Sequence, residues 1–85
     1  MEVVFSANAI SDLKYWKTTG NEKVLKKIRQ LIQSIQEDPF HGTGKPEPLK
    51  HNYSGMWSRR INREHRIIYE IEADQITVHA IKEHY

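Results

Sequence analysis

The clearest pattern in this sequence is an apolar stripe that repeats at the helical period in the second quarter of the chain. Its members are Val24, Leu25, Ile28, Leu31, Ile32 and Ile35. This spacing predicts an amphipathic helix with one continuous apolar face. Asn21 can cap the start of the helix, and Pro39 ends it. The opposite face carries Lys23, Lys26, Lys27 and Arg29, and we favour a solvated helix surface over an RNA contact as the interpretation of these cations.

The N-terminal segment predicts a strand followed by a first helix. Residues 2–6 are short and rich in Val and Phe, which is typical of a strand. Ser6 or Asn8 can cap a helix that continues to about Thr18, and Gly20 follows its end. Its inward stripe is expected to include Ile10, Leu13 and Trp16.

From Pro39 to about Gly55 the chain has no sustained period, and it holds three prolines and three glycines. This composition predicts a long loop, and its interleaved prolines favour an ordered, extended course. Three strand-like segments follow at 56–61, 66–71 and 75 to about 81, separated by short polar turns. Such short connections predict an antiparallel meander.

Alternation along these strands assigns their faces. In the second segment three apolar residues lie on one side of the strand, and in the third segment three apolar residues do so as well. We expect both of these sides to face the helices. They are Ile67, Tyr69 and Ile71, and Ile76, Val78 and Ala80. Arg66 then points to the face that the helices leave free. The parity of Arg59 and Arg60 is ambiguous, and a bulge in segment 56–61 is one solution.

Composition and charge exclude several classes of protein and favour one that binds a polyanion. The 85 residues form one small domain, 1–85, with a net charge of +2 and without cysteine. There is neither a membrane-length apolar run nor a signal-peptide pattern, so we expect a cytoplasmic protein. The histidines lack tight metal-ligand spacing, so no metal site is predicted. Six basic residues stand against two acidic ones between Lys45 and Arg66, which predicts a surface that attracts a polyanion.

The chain offers groups for metal-free RNA cleavage: a base and a cation that stabilises phosphorane charge in this region, and an acid at the end of the sequence. Glu47, held between two prolines, is the candidate base, although a solvated loop glutamate is the simpler interpretation. Arg66 can clamp a phosphate, or it can pair with Glu64 or Glu70. His84 has a pKa suited to an acid near neutral pH, although a terminal residue is often frayed.

Further candidates concern substrate binding. Tyr85 and Trp57 can each stack on a base, but a tryptophan at this position is more often a packing residue. The remaining cations are interpreted as groups that follow the nucleic-acid backbone: Lys50, Arg59, Arg60 and Arg63.

Residues 39–69 contain the blocks KPEPLKH and SRRIxxEHR, and the chain ends in His84 and Tyr85. This combination closely resembles the YoeB toxins of the RelE superfamily of bacterial toxin–antitoxin systems, and the likeness extends over nearly the whole chain. The resemblance implies an α+β fold in which two N-terminal helices pack on one face of a twisted, mainly antiparallel sheet of four to five strands, as in microbial ribonucleases.

The resemblance also implies a function and a set of roles. It implies a ribosome-dependent endoribonuclease that cleaves messenger RNA in the A site without a metal or other cofactor. Glu47 is then the general base, Arg66 stabilises the phosphorane, His84 is the general acid, Tyr85 orients the scissile region and Lys50 adds positive charge. In the same family Arg59 and Arg60 are expected to contact the ribosome or the message backbone.

The implied partners are a YefM-type antitoxin, the 70S ribosome with its message, and a second copy of the chain. Operon DNA is expected to be contacted only through the antitoxin. Two other functions stay open at this point: a toxin of the same fold that poisons DNA gyrase by binding, and a plain RNA-binding module. Neither needs Glu47, Arg66 and His84 together.

Overall fold

In a computed structural model, which describes residues 1–83, two helices pack on one face of a five-stranded sheet. In chain order the elements are β1 (Glu2–Phe5), α1 (Ala7–Thr19), α2 (Glu22–Glu37), β2 (Glu47–Pro48), a short 3-10 turn (His51–Tyr53), β3 (Met56–Arg60), β4 (Arg66–Glu72) and β5 (Gln75–Glu83). The predicted α+β class is confirmed. Neither described helix is both long enough and apolar enough to cross a membrane.

Both helices begin at the caps that the sequence supplies. Ser6 Oγ accepts a hydrogen bond from the backbone N–H of Ala9 at 3.1 Å, and Asn21 Oδ1 accepts one from that of Val24 at 3.2 Å. Such bonds satisfy N–H groups that have no partner inside the helix. Gly20 ends α1 in the left-handed conformation, with φ of 69°. The predicted extents of both helices are therefore confirmed.

The sheet has the strand order β1-β5-β4-β3-β2. The pairs β3–β4 and β4–β5 are antiparallel, which confirms the predicted meander. β1 lies parallel to β5 at one edge, and β2 lies antiparallel to β3 at the other. β2 falls inside the segment predicted to be a loop, so that prediction is wrong at Glu47 and Pro48.

The main core lies between the helices and the sheet. It contains most of the α2 stripe and all the predicted inward residues of β4 and β5 except Ile71, which lies at its margin, and Ala80: Val24, Ile28, Leu31, Ile35, Ile67, Tyr69, Ile76 and Val78. The predicted stripe of α1 is only partly right. Trp16 is buried and Leu13 is half-buried against the core, but Ile10 is 52% exposed, and Ala9 takes the inward position instead.

Irregular pairing between β4 and β5 overturns the prediction for Ala80. Val78 pairs with Tyr69 and Ala80 with Ile68, so His79 is an extra residue that shifts the alternation. Ala80 therefore packs with Ile68 on the helix-free face, and Ile81 joins the main core. β3 pairs with β4 without a shift, so the bulge considered for β3 is not formed, and the irregular pairing lies between β4 and β5.

The side chains of Ser6, which caps α1, and of two residues within α1 form hydrogen bonds with the irregular backbone of β5. Ser6 Oγ donates to the carbonyl of His79 at 3.0 Å. The N–H of Ile81 donates to Asp12 Oδ2 at 2.9 Å, and Trp16 Nε1 donates to the carbonyl of Ile81 at 3.0 Å. These three bonds, of which the last two are buried, hold β5 against α1.

Candidate active site

Strand register places Glu47 and Arg66 on the sheet face that the helices do not cover. Glu47 on β2 lies opposite Ser58 on β3, and Ser58 lies opposite Ile68 on β4. Arg66 precedes Ile68 by two residues, so it shares that face and lies opposite Arg60. From ordinary strand spacing, the two Cα atoms are separated by about 10 Å across the sheet and about 7 Å along it. Both side chains are long enough to reach a group between them.

A small apolar cluster forms the floor of this face. Leu49, Ile68 and Ala80 are buried together, and Met56 packs against them. Leu49 also donates its N–H to the carbonyl of Met56 at 2.9 Å, which continues the pairing of β2 with β3. This cluster explains how a strand of only two residues stays on the sheet and holds Glu47 in place.

The guanidinium of Arg66 has unused donor capacity. Its Nη1 is buried and has no hydrogen-bond partner among residues 1–83. The alternative ion pairs considered from the sequence are not formed within that range, because Glu70 pairs with His79 at 2.9 Å and Glu64 with His65 at 3.8 Å. An unpaired buried donor is costly, and a phosphate oxygen would satisfy it.

Ser58 is a site residue that the sequence did not reveal. Its side chain is fully buried, its Oγ has no hydrogen-bond partner in the described part of the chain, and it lies between Glu47 and Ile68. Only the pairing of β2 with β3 identifies this position, and that pairing was not predicted.

Arg59 does not contact a ligand surface, so its predicted role at the ribosome or the message is wrong. The regular β3–β4 register places it opposite Ile67 on the helix-covered face, where it is 0% exposed. Its guanidinium donates five hydrogen bonds of 2.6–3.1 Å, to Tyr69 Oη, Ser34 Oγ and the carbonyls of Asp38, His41 and Thr43. Asp38 caps the C-terminus of α2, where the helix dipole favours a cation.

The Arg59 network fixes the backbone that leads into Glu47. Tyr69 Oη donates to the carbonyl of Pro39 at 2.7 Å. Hydrogen bonds from two side chains, Arg59 and Tyr69, therefore hold the segment 38–44. Gly42 has a φ of 132°, and a Cβ there would lie 2.9 Å from Arg59 Nη1. Gly44 has a φ of 84°, and a Cβ there would meet the Leu31 side chain at 2.7 Å. Both positions therefore require glycine.

Comparison with known proteins identifies the family. A family model described as a YoeB-like toxin of bacterial type II toxin–antitoxin systems matches residues 5–85. The chain belongs to this YoeB-like toxin family. Toxin YoeB of Escherichia coli K12 is 45% identical over 85 residues, which is the full length of both chains. The resemblance predicted from the sequence motifs is confirmed.

Solved structures of YoeB proteins share the fold. A YoeB/ParE toxin from Agrobacterium tumefaciens is 37% identical and superimposes with a TM-score of 0.94 over 100% of both chains. A YoeB dimer from Staphylococcus aureus is 41% identical, with a TM-score of 0.90 over 100% of this chain and 98% of the other. A YoeB–YefM complex from the same organism is 42% identical, with a TM-score of 0.88 and the same coverage.

Of the other predicted site residues of this YoeB-like chain, two are exposed and one packs against the core. Arg60 and Lys50 are exposed, and Arg60 lies beside Arg66. Trp57 is half-buried and lies opposite Tyr69, with its ring centroid 5.0 Å from that of Phe40. The structure therefore places Trp57 against the helix-covered core rather than on the face of Glu47.

Two of the predicted catalytic residues, His84 and Tyr85, lie outside the described residues. Within residues 1–83, no three His, Cys, Asp or Glu side chains are grouped so that they could hold a metal ion. The described part of the site therefore consists of Glu47, Ser58, Arg60 and Arg66 around the apolar floor. This arrangement provides a carboxylate and two guanidinium groups on one open face, with the hydroxyl of Ser58 buried beneath them.

Two side chains near Arg59 have shifted pKa values. Burial raises the pKa of the Tyr69 phenol, and the hydrogen bond and charge of Arg59 partly oppose this shift. The pKa of Asp38 is lowered, chiefly because its carboxylate accepts a hydrogen bond from the N–H of Phe40. Both shifts belong to the structural network rather than to the open face.

Proposed function

We propose that this YoeB-like toxin is a ribosome-dependent endoribonuclease that cleaves messenger RNA in the ribosomal A site and thereby inhibits translation. One observation carries the proposal. Glu47 and Arg66 share the uncovered face of the sheet, and Arg66 presents a buried donor that no group within residues 1–83 satisfies. A carboxylate next to a cation with a free donor is suited to phosphoryl transfer from an RNA 2′-hydroxyl.

In the proposed reaction Glu47 takes the proton from the 2′-hydroxyl, whose oxygen attacks the adjacent phosphorus. Arg66 stabilises the charge that develops on the phosphorane oxygens. His84 gives a proton to the departing 5′-oxygen, and Tyr85 orients the scissile nucleotides. The products are a 2′,3′-cyclic phosphate and a 5′-hydroxyl, and no metal or cofactor takes part. Lys50 and Arg60 supply charge that holds the message backbone.

The proposed partners follow from the relatives. YoeB from S. aureus has been solved as a dimer and as a complex with YefM. We propose that this chain likewise forms a homodimer in the cytoplasm and is held inactive by a YefM-type antitoxin. The positive balance between Lys45 and Arg66 would favour an acidic antitoxin segment that orders on binding. The antitoxin would also provide the contacts with operon DNA.

Primer extension on messages translated in vitro tests the activity. We expect wild-type protein to leave cuts in register with codons, and Glu47→Gln and His84→Ala to leave none. Matched controls are Glu22→Gln and His41→Ala, which change exposed residues of the helix layer and its following turn. Uncut messages with wild-type protein would overturn the proposal and favour a toxin that acts by binding gyrase or RNA.

A further inference from the structure

A basic groove lies between the N-terminal half of α2 and the turn that joins β3 to β4, outside the candidate active site. It has a volume of about 650 Å³, and its walls include Lys23, Lys26 and Lys27 from the helix and Arg63 from the turn. A neighbouring cavity of about 410 Å³ shares Lys27 and Arg63 and adds Lys45 and Arg60. The two cavities form one continuous cationic surface.

The charge of this surface is uncompensated. Six cations line the two cavities, and neither cavity is lined by an aspartate or glutamate: Lys23, Lys26, Lys27, Lys45, Arg60 and Arg63. Each ion pair found within residues 1–83 joins a histidine to an acid, so none of these six side chains takes part in one. Concentrated charge of one sign in a concave surface attracts a polyanion.

The surface is also continuous with the candidate active site. Arg60 lines the second cavity and is the direct cross-strand partner of Arg66. A strand of nucleic acid that places one phosphate at Arg66 can therefore continue past Arg60 and Arg63 towards Lys27. The turn between β3 and β4 would lie beneath this path.

The walls favour phosphates over other anionic partners. No aromatic side chain lines either cavity, so there is no platform for bases. The large apolar residues in the walls, Val24 and Ile61, are each only 6% exposed, so the groove offers an acidic peptide no exposed apolar side chain as an anchor. Asn21, Gln30 and Asn62 add amide groups that can bond to phosphate oxygens and 2′-hydroxyls.

We propose that this groove binds the sugar–phosphate backbone of RNA and holds, without regard to sequence, the strand that extends from the active site. The identity of the polyanion as RNA rests on the proposed function. The cationic side of α2, which the sequence suggested was only a solvated surface, then has a ligand of its own.

Fluorescence anisotropy with labelled single-stranded oligouridylate of about 15 nucleotides tests the groove in the absence of ribosomes. The groove variant is Lys26→Gln, Lys27→Gln and Arg63→Gln. The control variant is Lys14→Gln, Lys17→Gln and Arg29→Gln, which removes the same charge from exposed positions that line neither cavity. All proteins carry Glu47→Gln so that the RNA stays intact, and thermal melting by circular dichroism confirms that they fold.

We expect the groove variant to bind the RNA roughly 20-fold to 100-fold more weakly at about 0.1 M KCl, with a salt slope that is shallower by about 2. The control should change affinity far less and keep the wild-type slope. Equal losses in both variants, or no binding by the parent protein, would overturn the proposal. Equal loss of binding to polyglutamate would assign the groove to acidic peptides instead and also overturn it.

These outcomes are separate from those of the cleavage experiment. Messages left uncut by wild-type protein, together with a selective loss of RNA affinity in the groove variant, would reject the nuclease and retain the groove. Normal cleavage together with equal RNA affinity in the groove and control variants would reject the groove and retain the nuclease.

Discussion

Arg59 and Arg66 lie on neighbouring strands of one sheet, but they project to opposite faces and have opposite surroundings. Arg59 points towards the helices, is completely buried and donates five hydrogen bonds to groups of the protein. Arg66 points away from the helices and keeps one donor without a partner in the described residues. All the hydrogen-bond partners of the Arg59 guanidinium come from the fold, whereas the Arg66 guanidinium keeps hydrogen-bonding capacity that the described residues do not use.

The comparison shows that a basic sequence motif does not by itself define a binding surface. Arg59 and Arg60 are adjacent in the chain, yet strand alternation buries one and exposes the other. The buried guanidinium organises the segment 38–44, and that segment leads directly to Glu47. The helix-covered face therefore stabilises the fold and positions Glu47, while the open face is proposed to carry the reaction.

The largest expected effect is on catalysis by the open face. We predict that Arg66→Ala slows single-turnover cleavage by about 100-fold to 10,000-fold, because it removes the cation proposed to stabilise the phosphorane. Arg29→Ala, which removes an exposed cation of α2 that lines neither cavity, is the control and should retain most of the single-turnover rate. A loss smaller than about tenfold in Arg66→Ala would remove Arg66 from the reaction.

The next largest effect is expected on stability, from a substitution of Arg59 on the helix-covered face. Arg59→Met should lower the free energy of unfolding by about 3 to 5 kcal/mol, because it leaves three carbonyls and two hydroxyls without their donor. Arg60→Met, at an exposed position, should change it by less than about 0.5 kcal/mol. Urea unfolding measures both, and equal midpoints for Arg59→Met and wild type would contradict a structural role for Arg59.

A smaller loss of stability is expected from a substitution that strains the segment 38–44, which Arg59 holds in place. Gly42→Ala combines a positive φ with a close approach to Arg59, and we predict destabilisation of about 2 to 3 kcal/mol. Gly20→Ala also has a positive φ but nothing within 4 Å of the new Cβ, so it should cost only about 1 kcal/mol. Thermal or urea unfolding that gives equal losses would show that segment 38–44 is not tightly packed on Arg59.

The smallest expected effect is the pH dependence of Tyr69. Because burial raises its pKa above the ordinary value of 10.0, the folded state retains the phenol proton more strongly than the unfolded state does. Its contribution to stability is therefore complete below pH 10 and is lost as the pH rises towards the folded-state pKa. Urea midpoints of wild type and Tyr69→Phe should converge above about pH 10, and a constant difference between them would contradict this account.

Local patterns in the sequence predicted the parts of the fold that local chemistry determines. Ser6 and Asn21 act as caps, and the stripe from Val24 to Ile35 faces the core. Alternation in β4 correctly assigned Ile67 and Arg66 to opposite faces, because each register shift between β4 and β5 places the extra residue in β5 and leaves β4 regular.

Long-range contacts determine the features that could not be predicted. The bulge that turns Ala80 outward depends on β5 backbone bonds to Ser6, Asp12 and Trp16, which are distant in the chain. β2 is too short to show a pattern and exists because it pairs with β3. The burial of Arg59 depends on carbonyls at the end of α2, so neither its role nor the place of Glu47 is visible in the local sequence.

The central claim is that Glu47 and Arg66 act on the same phosphodiester, and a double-mutant cycle in single-turnover cleavage tests it most directly. The rates needed are those of wild type, Glu47→Gln, Arg66→Met and the combined variant. Because the two groups are proposed to serve one transition state, we predict that the combined variant is less than about tenfold slower than the slower single variant. Losses that multiply in full would show that the two residues act independently and would contradict the shared site.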